Sequence, residues 1–293
     1  MNGGLERAAI ARSFHRASGS YDAAAHLQAQ VRAELISRLE GVSLAPKVVL
    51  DLGAGTGVAS AQLKQRYPKA QVIAADIAPG MLAAARRRSR FWRPIKCVVA
   101  DAAQLPLADH SVDLVFSSLM YQWCEEPDGA FAEAQRVLRP GGLLLFSSFG
   151  PDTLRELREA WATVDADVHV NAFIDMHDLG SALQRAGFAE PVLDVDRHVL
   201  RYADAKSLMR ELKAIGAHNV NAGRLRALTG PRRLARMMDA YERLRGPRGL
   251  PATYEVVYAA AWGAGVATAR ASVTAQTVVS LASLTAALRR PRA

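Results

Sequence analysis

The chain has 293 residues, half of them apolar, a formal net charge of +9 and two cysteines. That length holds one large domain or one domain with a substantial appendage, and the apolar share suffices for a sizeable core and argues against disorder. Cys97 and Cys124 stand in apolar surroundings without CxxC spacing, so neither a disulfide framework nor a zinc site is expected and a reducing cytosol fits.

The opening "MNGGLERAAIARSFHRASG" lacks the long apolar centre of a secretory signal, and no uncharged apolar run reaches the ~18 residues of a membrane span. Arginine supplies most of the positive charge, densest in "RRRSRFWR" (Arg86 to Arg93). This is either a solvated face of an Arg- and Ala-rich chain or a surface that steers an acidic partner. No zinc-finger spacing or RNP-like aromatic pattern marks a nucleic-acid module.

In chain order, "YDAAAHLQAQVRAELISRLEG" comes first as an amphipathic helical stretch, with Leu27, Val31, Leu35 and Leu39 on one face and Ser20 or Asp22 as its cap. "KVVLDL" then reads as a strand, Val58 to Arg66 as a helix, "QVIAAD" as a strand, "PGMLAAARRRS" as a helix opened by proline and "IKCVVAD" as a strand. "SVDLVFSS" and "GGLLLFSSF" are further strands, separated by the helix "GAFAEAQRVLRPGG". Runs this continuously apolar suit strands buried on both faces, and their alternation with helices predicts an α/β fold with a mainly parallel sheet. After Gly150, "DTLRELREAWATVD" and "DMHDLGSALQRAGF" look helical and "PVLDVDRHVLRY" extended. Two more helical stretches precede "ATYEVVYAAAW", which reads as an edge strand, and the Ala-, Val-, Thr-, Ser- and Arg-rich tail from Gly263 is assigned no structure.

"VVLDLGAGTGVASAQL" (Val48 to Leu63) carries the first chemistry. A Walker loop needs Lys-Ser or Lys-Thr after its last glycine, whereas Val58 and Ala59 follow Gly57. The dinucleotide fingerprint needs G-x-G-x-x-G, whereas Gly53, Gly55 and Gly57 form G-x-G-x-G behind an acidic Asp51. Glycines admit a ligand close to the backbone and the next helix offers free N–H groups. Those donors suit an anion, while Asp51 attracts a cation and repels a pyrophosphate. A ligand with an amino acid end, such as S-adenosylmethionine, satisfies both. Asp76 ends the second strand, where it can accept both ribose hydroxyls, and Asp101 ends the third, where it can meet an adenine amino group. Each aspartate alone is also consistent with a helix cap; three at one sheet edge beside the glycines form a single crevice.

"VLDLGAGTG", "AADIAPGML", "VVADAAQLPLADHSVDLVFSSLMYQW" and "EAQRVLRPGGLLLFSSFG" resemble the successive motifs of class I S-adenosylmethionine-dependent methyltransferases. The resemblance implies a Rossmann-like, seven-stranded, mostly parallel sheet whose last strand is antiparallel, with a helical lid and insertions. It assigns Asp51, Gly53, Gly55 and Gly57 to the methionine part, Asp76 to the ribose and Ile77 to the adenine face. Asp101 and Ala102 fall to the adenine edge, and Ser118 and Leu119 beneath the sulfonium. "RSFHRASGSYDAAAHLQ" is similar to the lid of a methyltransferase subgroup. The segment from "FGPDTLREL" to "VLDVD", with "LKAIGAHN", "LTG" and "PATYEVVY", resembles the malonyl-acyl-carrier-protein O-methyltransferases that begin the pimelate part of biotin synthesis. Relatives that assist respiratory complex I assembly and act as arginine hydroxylases share parts of these segments, and a methyltransferase acting on another small molecule, such as a quinone precursor, is a further alternative. The implied organisation is a lid over residues 1–45, a cofactor-binding core over 46–150, substrate-side helices and strands of the same domain over 151–262 and a tail over 263–293.

For a malonyl thioester on acyl carrier protein (or on CoA), the attacking carboxylate is already ionised, so no general base is required; S-adenosylhomocysteine is the coproduct. Tyr21 on the lid, and Gln122 and Trp123 after the fourth strand, are candidates for the acceptor pocket. His169 and Asn171 in "HVNAF" are candidates for specificity or structural polar groups. His169 and His177 lack an obvious third ligand, so no metal is expected. The arginine that would hold the carboxylate, and the oligomeric state, are not readable from the sequence.

Overall fold

The computed structural model describes residues 6–217 and 230–264. Parallel strands β1 (Val48–Leu52), β2 (Gln71–Asp76), β3 (Ile95–Val99), β4 (Val112–Ser118) and β5 (Leu138–Phe149) are followed by β6 (Ala189–Tyr202) and β7 (Leu250–Trp262). All seven form one sheet in the order β3-β2-β1-β4-β5-β7-β6. The last strand is antiparallel to both of its neighbours, but it is not at the edge. β7 is buried along nearly its whole length, as its run "VVYAAAW" requires between two strands, while the edge falls to β6, whose Asp194, Asp196 and Arg197 keep an open edge hydrated.

Neighbouring side chains on the strands point to opposite faces, and two cores result. Val49, Leu114, Phe116, Leu143 and Leu145 join one; Leu50, Val115, Leu144 and Phe146 join the other. Helices α3 (His26–Ser37), α4 (Val58–Arg66), α7 (Arg155–Ala162), α9 (Ala205–Ala214) and α10 (Pro231–Glu242) cover the first; α6 (Pro127–Val137) and α8 (Met176–Arg185) cover the second. The proline-opened α5 (Pro79–Arg88) packs along β2 and β3. Leu27, Val31, Leu35 and Leu39 are buried as their spacing predicts.

The N-terminal stretch is more divided than its pattern suggests. Arg7–Ala17 forms a helix of its own, α1, and the amphipathic stretch breaks into a single turn, α2 (Tyr21–Ala24), then α3 and a 3-10 turn at Arg38–Gly41. Neither Ser20 nor Asp22 caps a helix: the Ser20 hydroxyl donates to the Ala17 and Ala214 carbonyls, and Asp22 accepts from Thr56 and Arg88. The predicted helix "GAFAEAQRVLRPGG" stops at Val137, and "RPGG" enters β5, where the register against β4 shifts. Part of "LKAIGAHN" and most of "LTG", within 218–229, and the tail from 265 lie outside the described residues. Among the described residues no helix is long and apolar enough to cross a membrane.

Candidate active site

The C-terminal ends of β1, β2, β3 and β4 open on a cavity lined by Gly53, Gly55, Asp76, Ile77, Asp101, Ala102, Ser118 and Leu119, with Arg7, Ile10, Phe14, Tyr21, Met81 and Trp123 closing it. Eight of the ten residues assigned to the cofactor thus share one wall. Asp51 and Gly57 do not line it. Asp51 is 1% exposed and accepts the Ser60 hydroxyl at 2.5 Å, and burial pushes its carboxyl up to about 7 despite that bond. Gly57 lies at φ +78° at the start of α4, where a Cβ would stand 2.6 Å from that of Ala85, so its role is the close approach of α4 to α5.

The glycine bend is braced from the next strand. One Asp76 oxygen accepts the Gly55 N–H and the other the Ala78 N–H, both at 2.8 Å. Burial raises its carboxyl and these two bonds oppose the rise. Asp101 accepts the Ala103 N–H and forms an ion pair with Arg7 at 3.1 Å. Gly55, at φ +53°, has open space where a side chain would stand. That open bend with carboxylates behind it fits a ligand carrying an ammonium group and hydroxyls.

A second cavity adjoins the first. It is lined by Gln28, Gln122, Thr153, His169, Asn171 and Tyr254 together with Phe149, Leu154, Leu157, Phe173, Leu212 and Ile215. Phe14, Tyr21, Leu119 and Trp123 line both chambers. The acceptor candidates Tyr21, Gln122, Trp123, His169 and Asn171 are therefore brought together, from positions as far apart as the N-terminal turn and the segment after α7. Leu119 occupies a left-handed conformation (φ 54°), held by its N–H to the Ser147 carbonyl and by the Gln122 amide, which donates to its carbonyl at 2.7 Å. Strained backbone of this kind is over-represented at binding sites. Phe14 meets Trp123 edge to face at 5.1 Å. The Tyr21 hydroxyl is pushed up to about 12, mainly by burial and then by Asp76, so it remains a proton donor.

The N-terminal helices are strapped across both chambers. His15 Nδ1 accepts the Gly80 N–H on one side, and the Ser13 hydroxyl donates to the Gly216 carbonyl on the other. Phe14 itself was missed because "RSFHRASG" shows no amphipathic run long enough to announce a helix. Trp161 and Asp165 also gave no signal. The His169 ring stacks on the Trp161 indole at 3.7 Å and 8°, and its Nε2 bonds to Asp165 at 2.8 Å. Asp165, Asp167 and His169 approach one another closely enough to suggest a metal site, but the Arg233 guanidinium bonds to both carboxylates and stands where a cation would. Burial raises the Asp165 carboxyl, and the bonds from Arg233 and His169 outweigh it and bring it down to about 2.

A family model described as a methyltransferase domain matches residues 50–146. A malonyl-acyl-carrier-protein O-methyltransferase of Laribacter hongkongensis is 52% identical over 265 residues, covering 88% of this chain and 89% of the relative. One from Halorhodospira halophila is 48% identical over 93% of both chains. The chain belongs to the malonyl-acyl-carrier-protein O-methyltransferase family. Solved structures agree on the fold: the YcgJ protein of Bacillus subtilis aligns at TM-score 0.57 with 14% identity, over 79% of this chain and 98% of that one. A SAM-dependent methyltransferase of Thermotoga maritima aligns at 0.52 with 17% identity, over 87% and 99%.

Proposed function

We propose that the chain transfers a methyl group from S-adenosylmethionine to the free carboxylate of malonyl-acyl carrier protein, the reaction that opens the pimeloyl part of biotin synthesis. The observation that carries this reading is the pair of adjoining chambers with one wall in common, Phe14, Tyr21, Leu119 and Trp123, in a chain of this family. Asp76, Ile77, Asp101 and Ala102 would hold the nucleoside, Gly53 and Gly55 the amino acid end, and Ser118 and Leu119 the centre. Bound there, S-adenosylmethionine supplies a methyl group on a cationic sulfur, and a carboxylate oxygen forms the new C–O bond as the C–S bond breaks.

No proton moves in this exchange, and the residues present agree. The shared wall offers no general base; it offers apolar side chains and one neutral phenol. Anion and cation are consumed together, so a chamber that excludes water favours the less charged products. Holding the two reactants face to face removes a bimolecular entropy cost worth ~7–11 kcal/mol in well-oriented cases. The Tyr21 hydroxyl can donate to the carboxylate oxygen that does not attack, which positions the nucleophile without quenching it.

Incubation with methyl-labelled S-adenosylmethionine and malonyl-carrier protein tests the reading. Label in a base-labile methyl ester is expected. Cofactor binding with no transfer to the malonyl group would instead identify a binding module on this fold.

A further inference from the structure

We propose that His169 is the carboxylate reader of the second chamber: its ring takes a second proton from solvent when the malonyl anion enters and returns it to solvent when methyl transfer has removed the charge and the neutral ester leaves. This rests on the acceptor assignment above. A carboxylate entering an apolar chamber must meet a cation or a set of donors, since an unpaired charge there is costly. Among the described residues lining the chamber there is no lysine or arginine. The titratable groups on that wall are Tyr21, Tyr254 and His169. Both phenols are driven upward by burial and stay neutral, which leaves the imidazole, among the described residues, as the group able to become positive.

The surroundings hold the ring for that task. Nε2 is committed to Asp165, which fixes Nε2 as the protonated nitrogen of the neutral ring and leaves Nδ1 for a ligand. The parallel indole of Trp161 on one ring face welcomes a cation. Arg233 opposes a second positive charge, but its guanidinium is shared between Asp165 and Asp167, so two carboxylates balance it. The neutral ring gains a second proton most readily when an anion faces Nδ1. Two residues on, Asn171 is 8% exposed and its Oδ1 has no partner among the described residues, and the Oε1 of the equally buried Gln122 is likewise without one there. Unsatisfied buried amides on the same chamber wall are the mark of a place where a polar ligand completes the hydrogen bonding. Methylation removes the charge that His169 answers, so substrate and product differ in the one contact that discriminates them.

Calorimetry with malonyl-pantetheine and its methyl ester, in the presence of S-adenosylhomocysteine to prevent turnover, tests this directly. The wild-type protein is expected to bind the acid at least ~10-fold more tightly than the ester near pH 6, with the preference shrinking toward pH ~8.5 while ester affinity stays flat. His169→Gln should abolish the preference at every pH and keep S-adenosylhomocysteine affinity within about twofold, which certifies folding. Asp165→Asn, at a positioning residue, should move the pH dependence to lower pH. An acid preference that survives His169→Gln, or that does not vary with pH in the wild type, overturns the subsite. Binding of S-adenosylhomocysteine with no binding of either malonyl compound overturns the acceptor assignment itself.

Discussion

Asp51 shows how one carboxylate can serve the site from behind it. It is the last but one residue of β1, between β2 and β4, and is bonded to Ser60 rather than exposed to a ligand. Its folded value is raised to about 7 by burial, against an unfolded value near 4. Stability is therefore whole below about pH 4 and is lost as pH rises through 7, by about 4 kcal/mol. Relative to Asp51→Asn, urea unfolding of the ligand-free wild type should show this loss between those limits, and parallel curves for the two proteins would refute it. Tyr21 lines both chambers, and the proposed reaction uses its hydroxyl. Tyr21→Phe should lower kcat/KM by ~10–100-fold, a lost hydrogen bond to a charged group of about 1.5–3 kcal/mol, with cofactor affinity within threefold. An equal loss of cofactor affinity would place the hydroxyl in the first chamber alone.

At the scale of elements, the glycine bend and the three acidic strand tips were legible because strand, turn and helix follow one another within about ten residues. Their residue types record local backbone demands. Gly57 is an instance, and it also shows the limit: the spacing gives a glycine, while only the packing of α4 on α5 shows that Ala85 is the reason. Gly57→Ala should therefore destabilise by ~2–4 kcal/mol through a left-handed φ and a steric clash, read as a lowered Tm with or without ligand. The lining of the second chamber was legible only in part. Gln122 and Trp123 were found because they follow a strand tip, and His169 and Asn171 because polar residues interrupt an apolar segment. Trp161 beneath His169, Arg233 bridging two aspartates, and Ser13 bonded to a carbonyl 203 residues away are contacts of tertiary assembly with no local signature. The same cause misplaced "ATYEVVYAAAW", whose neighbours in the sheet are set by chain topology.

Across the whole molecule, the Arg86–Arg93 run does not border the acceptor chamber. Ile95 pairs with Val72 near the start of β2, so the preceding turn lies at the opposite end of the sheet from the crevice, about 13 Å along β3. Phe91 and Trp92 stand 96% and 73% exposed at the tip of that turn, between Arg90 and Arg93. Charge reversal there, Arg87→Glu with Arg90→Glu, should leave KM for malonyl-carrier protein within twofold across ionic strengths, whereas a tenfold rise would show that the carrier docks on that end. Phe91→Ser with Trp92→Ser should likewise spare turnover, measured as kcat/KM for malonyl-carrier protein.

The wall that the two chambers share is built in part from the N-terminal helices. Phe14 comes from α1, which the Ser13 and His15 bonds fasten down on either side, and Tyr21 from α2, held by the Ser20 hydroxyl on the Ala214 carbonyl and by Asp22 accepting from Thr56 and Arg88. Displacing either helix would therefore breach both chambers in the same movement.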